Sequence, residues 1–408
     1  MVPEGWKHGF VKDLANTVMG YAFKSTDFVP DGIPLLRMGN LYQNMLDLER
    51  NPVFLPKRYL SDFSRFIVRP GDLVMSMTGT MGKRDYGFTV QIPDNVPELL
   101  LNQRVMKFEP KKDACLEYLL NLFRSEMFLN YLYSFPGGTK QANLSAKQVQ
   151  ELPVLIPPKA EQKKIAKILS TWDKAITTTE QLLTNSQQQK KALMQQLITG
   201  NRRFPEFKGR WEKRALSEIC ILGAGQPAPQ EAKYFIDGNH DFLRVSDLGS
   251  STCRWAPQSR DKVNQLAIRE CSLGVVPAKA TLFTKSGASL LLNQRAQLKE
   301  NSFIVSHLGF AKAKDGVSDD FVFYLMCSID FNRYAAGTSL PALQLSVLKS
   351  LKVLVPPYEE QIKIASMFSD ADMEISILEK KLFLLKQEKK ALMQQLLTGK
   401  RRVKVEAA

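Results

Sequence analysis

The feature that most constrains this chain is a long repeat within its own sequence. Residues 152–200 and 351–399 align without a gap, 199 positions apart, and about half of the aligned residues are identical. Solenoid units recur every ~20–50 residues, so this spacing indicates the duplication of a half-protein. Each half is predicted to hold a variable segment followed by a helical segment. The predicted segments are 1–151, 152–203, 204–350 and 351–408.

Both copies of the repeat carry start and stop signals for one long helix. Proline is tolerated in the first helical turn, and acidic side chains suit the positive end of the helix dipole. A glycine followed by basic residues is a typical stop. These signals are Pro157–Pro158, Glu161, Gly200 and Arg202–Arg203 in the first copy, and Pro356–Pro357, Glu359–Glu360, Gly399 and Lys400–Arg402 in the second. We predict a rod of roughly 60 Å from about 40 residues in each copy.

Apolar residues in each predicted helix alternate between spacings of four and three. This spacing is typical of a coiled-coil seam, which must pack against a partner. The predicted seam consists of Ile165, Leu169, Trp172, Ile176, Leu183, Leu193 and Leu197 in the first helix, and of Ile364, Phe368, Ile375, Leu378, Leu382, Leu385, Leu392 and Leu396 in the second. Thr179, Ser186 and Lys190 interrupt the first stripe, and Lys389 interrupts the second.

Each long helix is expected to use the other as its partner. Two halves that are repeated in the same chain direction and related by a pseudo-two-fold axis place their helices antiparallel. The alternative is a pair of separate surface helices, each packed on its own domain.

The two variable segments share landmarks rather than sequence. Each has a tryptophan near its start, Trp6 or Trp211, and an apolar pair followed by an arginine. Short bounded strands with few helices predict the α/β (α+β) class, with each domain built on a mixed sheet or small barrel plus helices. The motif LLNQR occurs at 100–104 and 291–295, but chance or an insertion explains its different offset equally well.

Charge and cysteine content limit the partners and the compartment. The formal net charge is +15, which favours a polyanionic partner, although a merely basic protein is the alternative. The five cysteines form no CxxC pair, which argues against disulfides or zinc and fits a reducing cytoplasm. The sequence shows neither a signal peptide nor an apolar run of about 18 residues, so we expect no membrane.

No pattern in the sequence predicts catalysis. The loop Gly79–Lys83 resembles a phosphate-binding loop, but it has two residues between its glycines where that motif needs four. Asp94 with Glu109–Lys111 resembles the carboxylate pattern of a metal nuclease, but so short a pattern arises easily by chance. The three histidines are far apart. We therefore expect no catalytic residue, no metal site and no cofactor.

The order of segments resembles a known family. A variable domain, a helix that begins PPxxEQxxIA, a second variable domain and a near-copy of that helix resemble the specificity subunit of type I restriction-modification systems. The resemblance covers essentially the whole chain and is most specific in the helical repeats. It implies that each variable segment is a target-recognition domain reading one half of a split, asymmetric double-stranded DNA site. It also implies that the helices form the spacer and bind two adenine-methyltransferase subunits, and that restriction subunits with the nuclease and motor join them.

Loops with basic and small polar residues are the candidate DNA contacts, because such side chains bind phosphates and base edges. The candidates are Arg37, Thr80, Lys83, Arg84, Lys140 and Gln141 in the first domain, and Arg244, Lys285, Ser286, Thr338 and Ser339 in the second. The alternative for each is an ordinary solvated side chain.

Two other functions remain open from the sequence. One is an assembly scaffold that does not bind DNA, in which a helical hairpin joins protein partners. The other is a single-chain enzyme, which the missing methyltransferase and nucleotide motifs argue against.

Overall fold

The structure is a computed structural model, and it describes residues 2–80, 82–135, 141–249, 254–337 and 341–405. The chain divides into two compact units. Unit 1 comprises Met1–Thr178 and Leu382–Ala408, and unit 2 comprises Thr179–Lys381. Unit 1 therefore takes residues from both ends of the sequence, whereas unit 2 is continuous.

The described residues of unit 1 before the first long helix form short strands and helices. The strands are β1 (Lys7–Phe10), β2 (Ala15–Met19), β3 (Ile33–Leu36), β4 (Leu41–Tyr42), β5 (Met45–Leu46), β6 (Phe54–Leu55), β7 (Ile67–Val68), β8 (Leu73–Ser76), β9 (Thr78–Thr80), β10 (Thr89–Gln91), β11 (Leu99–Leu101), β12 (Val105–Pro110), β13 (Gln141–Asn143) and β14 (Pro153–Ile156). The helices are α1 (Val11–Leu14), α2 (Tyr59–Asp62), α3 (Leu116–Phe123), α4 (Glu126–Tyr133), α5 (Ala146–Gln150) and the long α6 (Lys159–Leu197). Turns of 3-10 helix cover Ser25–Asp27, Met38–Asn40 and Ser64–Phe66.

Two sheets form the body of unit 1. One has the strand order β10-β8-β12-β2 and the other the order β6-β3-β11-β7. All of β8 is buried, as expected for a strand that is covered on both faces. Strand β11 pairs with β3 in parallel and with β7 antiparallel, so the second sheet is mixed. Strand β1 pairs with β14 and brings the start of the chain beside the start of α6.

The main core of unit 1 lies between its first sheet and its helices. Phe123 in α3 contacts Phe108 of the sheet and Phe128 of α4, with ring centroids 4.5 and 4.9 Å away. Ile165 in α6 and Leu396 from the other end of the chain belong to the same buried cluster. The long helices are therefore part of this core rather than appendages.

Unit 2 has a similar series of elements. Its strands are β15 (Glu212–Ala215), β16 (Cys220–Ala224), β17 (His240–Leu243), β18 (Asp261–Val263), β19 (Thr281–Thr284), β20 (Arg295–Gln297), β21 (Phe303–Ile304), β22 (Leu308–Ala313), β23 (Ala335–Ala336), β24 (Ala342–Leu343) and β25 (Lys352–Val355). Its helices are α7 (Leu216–Ile219), α8 (Val245–Gly249), α9 (Gln265–Glu270), α10 (Asp319–Ser328), α11 (Leu345–Ser350) and the long α12 (Tyr358–Leu397), which ends in unit 1. Turns of 3-10 helix cover Ala232–Tyr234, Ala288–Leu292 and Phe331–Tyr334.

The first sheet of unit 2 repeats the topology of unit 1, and the second sheet has three strands, β18-β17-β21, where unit 1 has four. The order β20-β19-β22-β16 matches β10-β8-β12-β2 strand for strand. Strand β17 pairs with β21 in parallel, as β3 pairs with β11. The pairing of Thr284 with Leu308 corresponds to that of Ser76 with Val105, which identifies equivalent positions in the two units. The predicted α+β class is confirmed.

The two long helices begin and end where the sequence signals place them. Helix α6 starts directly after Pro157–Pro158 and α12 directly after Pro356–Pro357. Gly200 and Gly399 follow their last turns with φ of +73° and +69°, left-handed values that glycine adopts without a steric penalty. No helix within the described residues combines the length and the apolar character that crossing a bilayer needs.

Candidate nucleic-acid interface

The start of α6 is fixed by a three-residue contact, which we call the clamp of unit 1. Glu161, in the first turn of α6, accepts a hydrogen bond from Nε1 of Trp6 at 3.1 Å. Arg402 donates to the same carboxylate through Nε at 3.0 Å and through Nη2 at 2.6 Å. The Glu161 carboxylate is only 8% exposed, whereas the Arg402 side chain is 41% exposed, so the carboxylate is shielded from water while its forked partner stays partly solvated. The clamp joins both ends of the chain to α6.

Unit 2 has an equivalent clamp at the start of α12. Glu360 accepts a hydrogen bond from Nε1 of Trp211 at 2.9 Å and bonds from Nε and Nη2 of Arg203 at 3.1 and 2.6 Å. The Glu360 side chain is completely buried, and its hydrogen bonds raise the pKa of Arg203 above the ordinary value. The sequence signals account for these glutamates as acidic residues at the positive end of the helix dipole, and for these arginines as basic residues of the stop signal. The structure shows that they also bind each other.

The glutamine that follows each clamp glutamate connects the long helix to the sheet domain. Gln162 accepts a hydrogen bond from the backbone N–H of Cys115 at 2.9 Å, and Gln361 accepts one from Ser318 at 2.9 Å. Cys115 and Ser318 are the N-cap residues of α3 and α10. Each glutamine amide also donates to the carbonyl of the first proline of the preceding pair. Since both glutamines are buried, these hydrogen bonds orient α3 and α10.

The lysines that interrupt the apolar stripes pair with aspartates of the other long helix. In unit 1, Nζ of Lys389 lies 2.5 Å from Oδ1 of Asp173. In unit 2, Lys190 binds Asp372, which also accepts a hydrogen bond from the Tyr324 hydroxyl at 2.7 Å. In each unit, residues later in α6 contact residues earlier in α12, so the two helices run antiparallel there.

The predicted seam residues all lie on buried or half-buried parts of their helices. Ile165, Leu169, Ile364 and Phe368 are at most 1% exposed and belong to the cores of their units. Residues nearer the middle, such as Leu183, are half-buried. Their assignment to one continuous seam stays a prediction.

Three of the predicted DNA contacts of unit 1 lie together. Thr80 at the end of β9 is paired with Gln141 of β13, and both residues are exposed. The backbone N–H of Lys83 donates to the Thr80 carbonyl at 3.0 Å, which places this exposed lysine in the following turn. These side chains offer a hydroxyl, an amide and a cation at one pair of strands and the turn that follows it.

Arg84 lies in the same loop but is bound within unit 1. Its guanidinium donates to Glu126 at 3.1 Å and to Asn130 at 2.8 Å, both on α4. Lys390 of α12 lies 3.1 Å from the same Glu126 carboxylate. Arg84 therefore ties the loop to α4, and a DNA phosphate has to compete with these partners.

Arg37 and Arg244 occupy equivalent positions at the ends of β3 and β17. Their backbone N–H groups donate to side-chain oxygens three residues later, at 2.9 and 2.8 Å. The guanidinium of Arg37 binds the carbonyl of Asn51, and that of Arg244 binds Asp261. Both arginines are half-buried and lie in a different loop from Thr80 or its counterpart.

Lys285 and Ser286 of unit 2 follow β19, as Met77 and Thr78 follow β8. Ser286 bridges to Ala342, and its hydroxyl lies 2.7 Å from Nδ1 of His307. The other candidates, Lys140, Thr338 and Ser339, lie outside the described residues.

Two exposed side chains at equivalent turns were not among the predicted contacts. The Met77 N–H donates to the carbonyl of Arg104, and the Lys285 N–H donates to that of His307, at 2.9 and 2.8 Å. Arg104 and His307 directly precede β12 and β22 and adjoin the loops above. Arg104 ends the first LLNQR motif, whereas the second motif ends at Arg295 in a different strand. The two LLNQR motifs therefore do not occupy equivalent positions in the two units. The equivalence of Arg104 and His307 is visible only from the strand register.

The side chains at these strand ends are polar or cationic in each unit. Within the described residues, no three histidine, cysteine or carboxylate side chains come together as metal ligands do. The cysteines of the described chain form no disulfide, and burial raises the pKa of Cys220 to about 12. Exposed hydroxyl, amide and cationic groups at the strand ends suit phosphates and base edges.

Comparison with known proteins gives consistent relatives. The MjaIX type I restriction enzyme specificity subunit of Methanocaldococcus jannaschii is 24% identical over 98% of this chain and 95% of its own length. The EcoKI specificity subunit of Escherichia coli is 23% identical over 91% of this chain and 84% of its own length. The crystal structure of a type I S subunit from M. genitalium has a similar fold, with a TM-score of 0.60, 13% identity and 96% of each chain covered.

The family match extends over both halves of the chain. The family described as Type I restriction modification DNA specificity domain matches residues 3–185 and 208–387. The expectation of a recognition subunit rather than an enzyme is confirmed, since the relatives are named specificity subunits. This chain belongs to the type I restriction-modification DNA specificity family.

Proposed function

We propose that this chain directs a type I restriction-modification complex to a bipartite, asymmetric DNA sequence. Segments 1–151 and 204–350 each read one half of the site, and segments 152–203 and 351–408 form the spacer that sets the gap. The observation that carries the proposal is the repeated clamp, which attaches two unlike domains to their helices by equivalent contacts. Two readers of different sequence then recognise two different half-sites.

The proposed DNA contacts fall into two groups. Thr80, Lys83 and Gln141, which lie together at the end of β9 and in the turn after it in unit 1, and Lys285 and Ser286, which directly follow β19 in unit 2, are the proposed direct contacts. The remaining candidates are proposed to contact phosphates: Arg37, Arg84, Lys140, Arg244, Thr338 and Ser339. The +15 net charge adds attraction that weakens with salt.

The proposed partners are two adenine-methyltransferase subunits bound to the helices, with restriction subunits completing the complex. Exposed apolar side chains on α12, including Met373 and Ile377 in unit 2 and Phe383 in unit 1, support a protein partner. We place this complex in the cytoplasm, which the absence of disulfides among the described cysteines supports.

A domain exchange tests the proposal. Residues 1–151 are replaced by the matching segment of a relative with a different target, and the chain is expressed with its methyltransferase. Mapping methylated adenines across the genome is expected to show a change in one half-site only. The matched control exchanges 204–350 and changes the other half. A change in both halves would contradict modular reading, and DNA binding that is absent or insensitive to salt in a mobility-shift assay would favour the scaffold.

A further inference from the structure

A cavity beside the clamp of unit 1 has an apolar wall and a positively charged rim. Its volume is about 470 Å³. The wall consists of Ile168, Trp172, Leu392, Leu396 and Val403, and the rim consists of Lys164, Arg401, Arg402 and Lys404. Among the described residues, the charged side chains that line it are all cations, and since Arg402 is paired with Glu161, it is Lys164, Arg401 and Lys404 that favour an occupant with carboxylates.

The equivalent position in unit 2 is filled by the chain itself. Phe204 follows the clamp arginine of unit 2, as Val403 follows that of unit 1. Phe204 packs against the core of its unit, and Nζ of Lys363 lies 6.0 Å from its ring centroid. Lys363 is the counterpart of Lys164 on the rim of the cavity. Unit 2 thus shows which kind of side chain suits this position: an aromatic ring under a lysine.

On the helix side of the cavity, it is unit 1 that has the larger side chain. Trp172 stands in α6 where α12 of unit 2 has Ala371. Unit 1 therefore has a large ring on the helix and a small side chain on the tail, with open volume between them. A second aromatic ring can stack on the Trp172 indole there, in the geometry that aromatic pairs prefer.

We propose that this cavity docks an acidic segment of a partner protein that inserts one aromatic side chain beside Trp172. The inference rests on the proposed function, in which that partner is a methyltransferase subunit. The segment of unit 2 that begins with Phe204 already combines two phenylalanines with Glu206, which is the chemistry expected of the occupant. Carboxylates that flank the inserted ring meet Arg401 and Lys404 at the rim.

Two variants of the full chain test the docking. Val403→Phe fills the cavity with the residue that unit 2 uses, and Arg401→Glu with Lys404→Glu reverses the rim. Each is expected to weaken binding of the purified methyltransferase subunit at least about tenfold in biolayer interferometry, while the melting temperature stays that of the wild type. Arg202→Glu, at the position in unit 2 that matches Arg401, is the control and is expected to change affinity less than about twofold.

Photocrosslinking identifies the occupant. Benzoylphenylalanine at position 403 is expected to crosslink to an acidic segment of the methyltransferase subunit next to an aromatic residue. The same probe at position 204 faces the core of unit 2 and is expected to give no such product. A crosslink to the same chain, to a second copy or to DNA would overturn the inference.

The controls separate this inference from the proposed function. If the wild-type chain fails to bind the methyltransferase subunit, both are overturned. If the wild type binds and both variants bind with the same affinity, the docking inference alone is overturned.

Discussion

Unit 1 and unit 2 fasten their long helices in the same way but join the short helix to the edge of the first sheet differently. In unit 1, Arg124 after α3 donates to the carbonyl of Thr89 at 2.9 Å. In unit 2, the position of Thr89 is taken by Arg295, which donates back to the carbonyl of Met326 in α10 at 3.3 Å. The donor arginine follows the helix in unit 1 and lies on the strand in unit 2. The hydrogen bond between helix and strand is therefore donated in opposite directions in the two units.

The two arginines also differ in their other contacts. Arg124 also donates to the carbonyl of Asn44, at 3.0 Å, in the turn between β4 and β5. Arg295 instead lies 3.6 Å from the Phe331 ring centroid and donates to Ile329. Burial lowers the pKa of both guanidinium groups, to about 10 for Arg295. The contacts that define the attachment are repeated, while those that position the loops are not.

The largest expected effect concerns the helix positions that the units share. Phe368→Ala removes a completely buried ring from unit 2 and is expected to cost about 3–5 kcal/mol of its unfolding free energy. Leu169→Ala, at the equivalent position in unit 1, is expected to cost about 2–5 kcal/mol. Urea unfolding of both variants measures the difference, and Leu182→Ala, an exposed position in α6, is the control. Equal stability of the Phe368 variant and the wild type would show that α12 is not anchored there.

The next effect tests whether the glutamine contacts are equivalent. Gln162→Ala and Gln361→Ala each leave a buried N-cap N–H without its acceptor, so each is expected to destabilise its unit by about 1–3 kcal/mol. Hydrogen exchange of α3 and α10 is expected to accelerate in the respective variant only. Faster exchange in the other unit would contradict the independence of the two anchors.

Double-mutant cycles on the seam pairs sharpen the comparison further. We expect a coupling energy of about 0.5–3 kcal/mol for Lys190 with Asp372 and a smaller one for Lys389 with Asp173. The reason is exposure, since the side chain of Asp173 is 46% exposed, against 24% for that of Asp372. Chemical denaturation of the single and double variants provides the energies. A larger coupling in unit 1 would contradict this ranking.

The smallest effect is a pH dependence that belongs to unit 1. The hydrogen bond from Lys390 lowers the pKa of Glu126 below its ordinary value of 4.5. Ionised Glu126 therefore stabilises unit 1 at pH values above 4.5, its ordinary pKa. This stabilisation is lost as the pH falls through the lowered pKa of the folded protein. Lys390→Met is expected to flatten this acid-side slope slightly in melts between neutral and acidic pH. Lys191→Met, the equivalent change on α6, leaves the slope unchanged if the contact is specific to unit 1.

Much of the helical part of the fold is predictable from sequence because its signals are local. Proline pairs, stop glycines and four–three spacing lie within the helices they define, and the structure reproduces both boundaries. The clamp is not predictable in this way, because Trp6, Glu161 and Arg402 come from three distant segments. Each of these residues is accounted for by a local signal of its own. The sequence therefore gives no indication that the three are in contact.

The candidate DNA surface shows the same limit. Arg84 has the local signature of a loop cation, yet its partner Glu126 lies on α4. Arg104 and His307 differ in type and in sequence context, so only strand register shows that they are equivalent. Base contacts depend on side chains converging from several loops, and no spacing rule encodes that convergence.

The division of the chain also affects its synthesis. Unit 2 is continuous, so a ribosome delivers all of its residues before it reaches Leu382. Unit 1 buries Leu396 and Leu397 in a core whose other buried members lie between Trp6 and Leu169, before unit 2 in the sequence. The core of unit 1 is therefore completed only after the whole of unit 2 has been synthesised, and deletion of Leu396 and Leu397 is expected to weaken the half of the molecule that is made earlier.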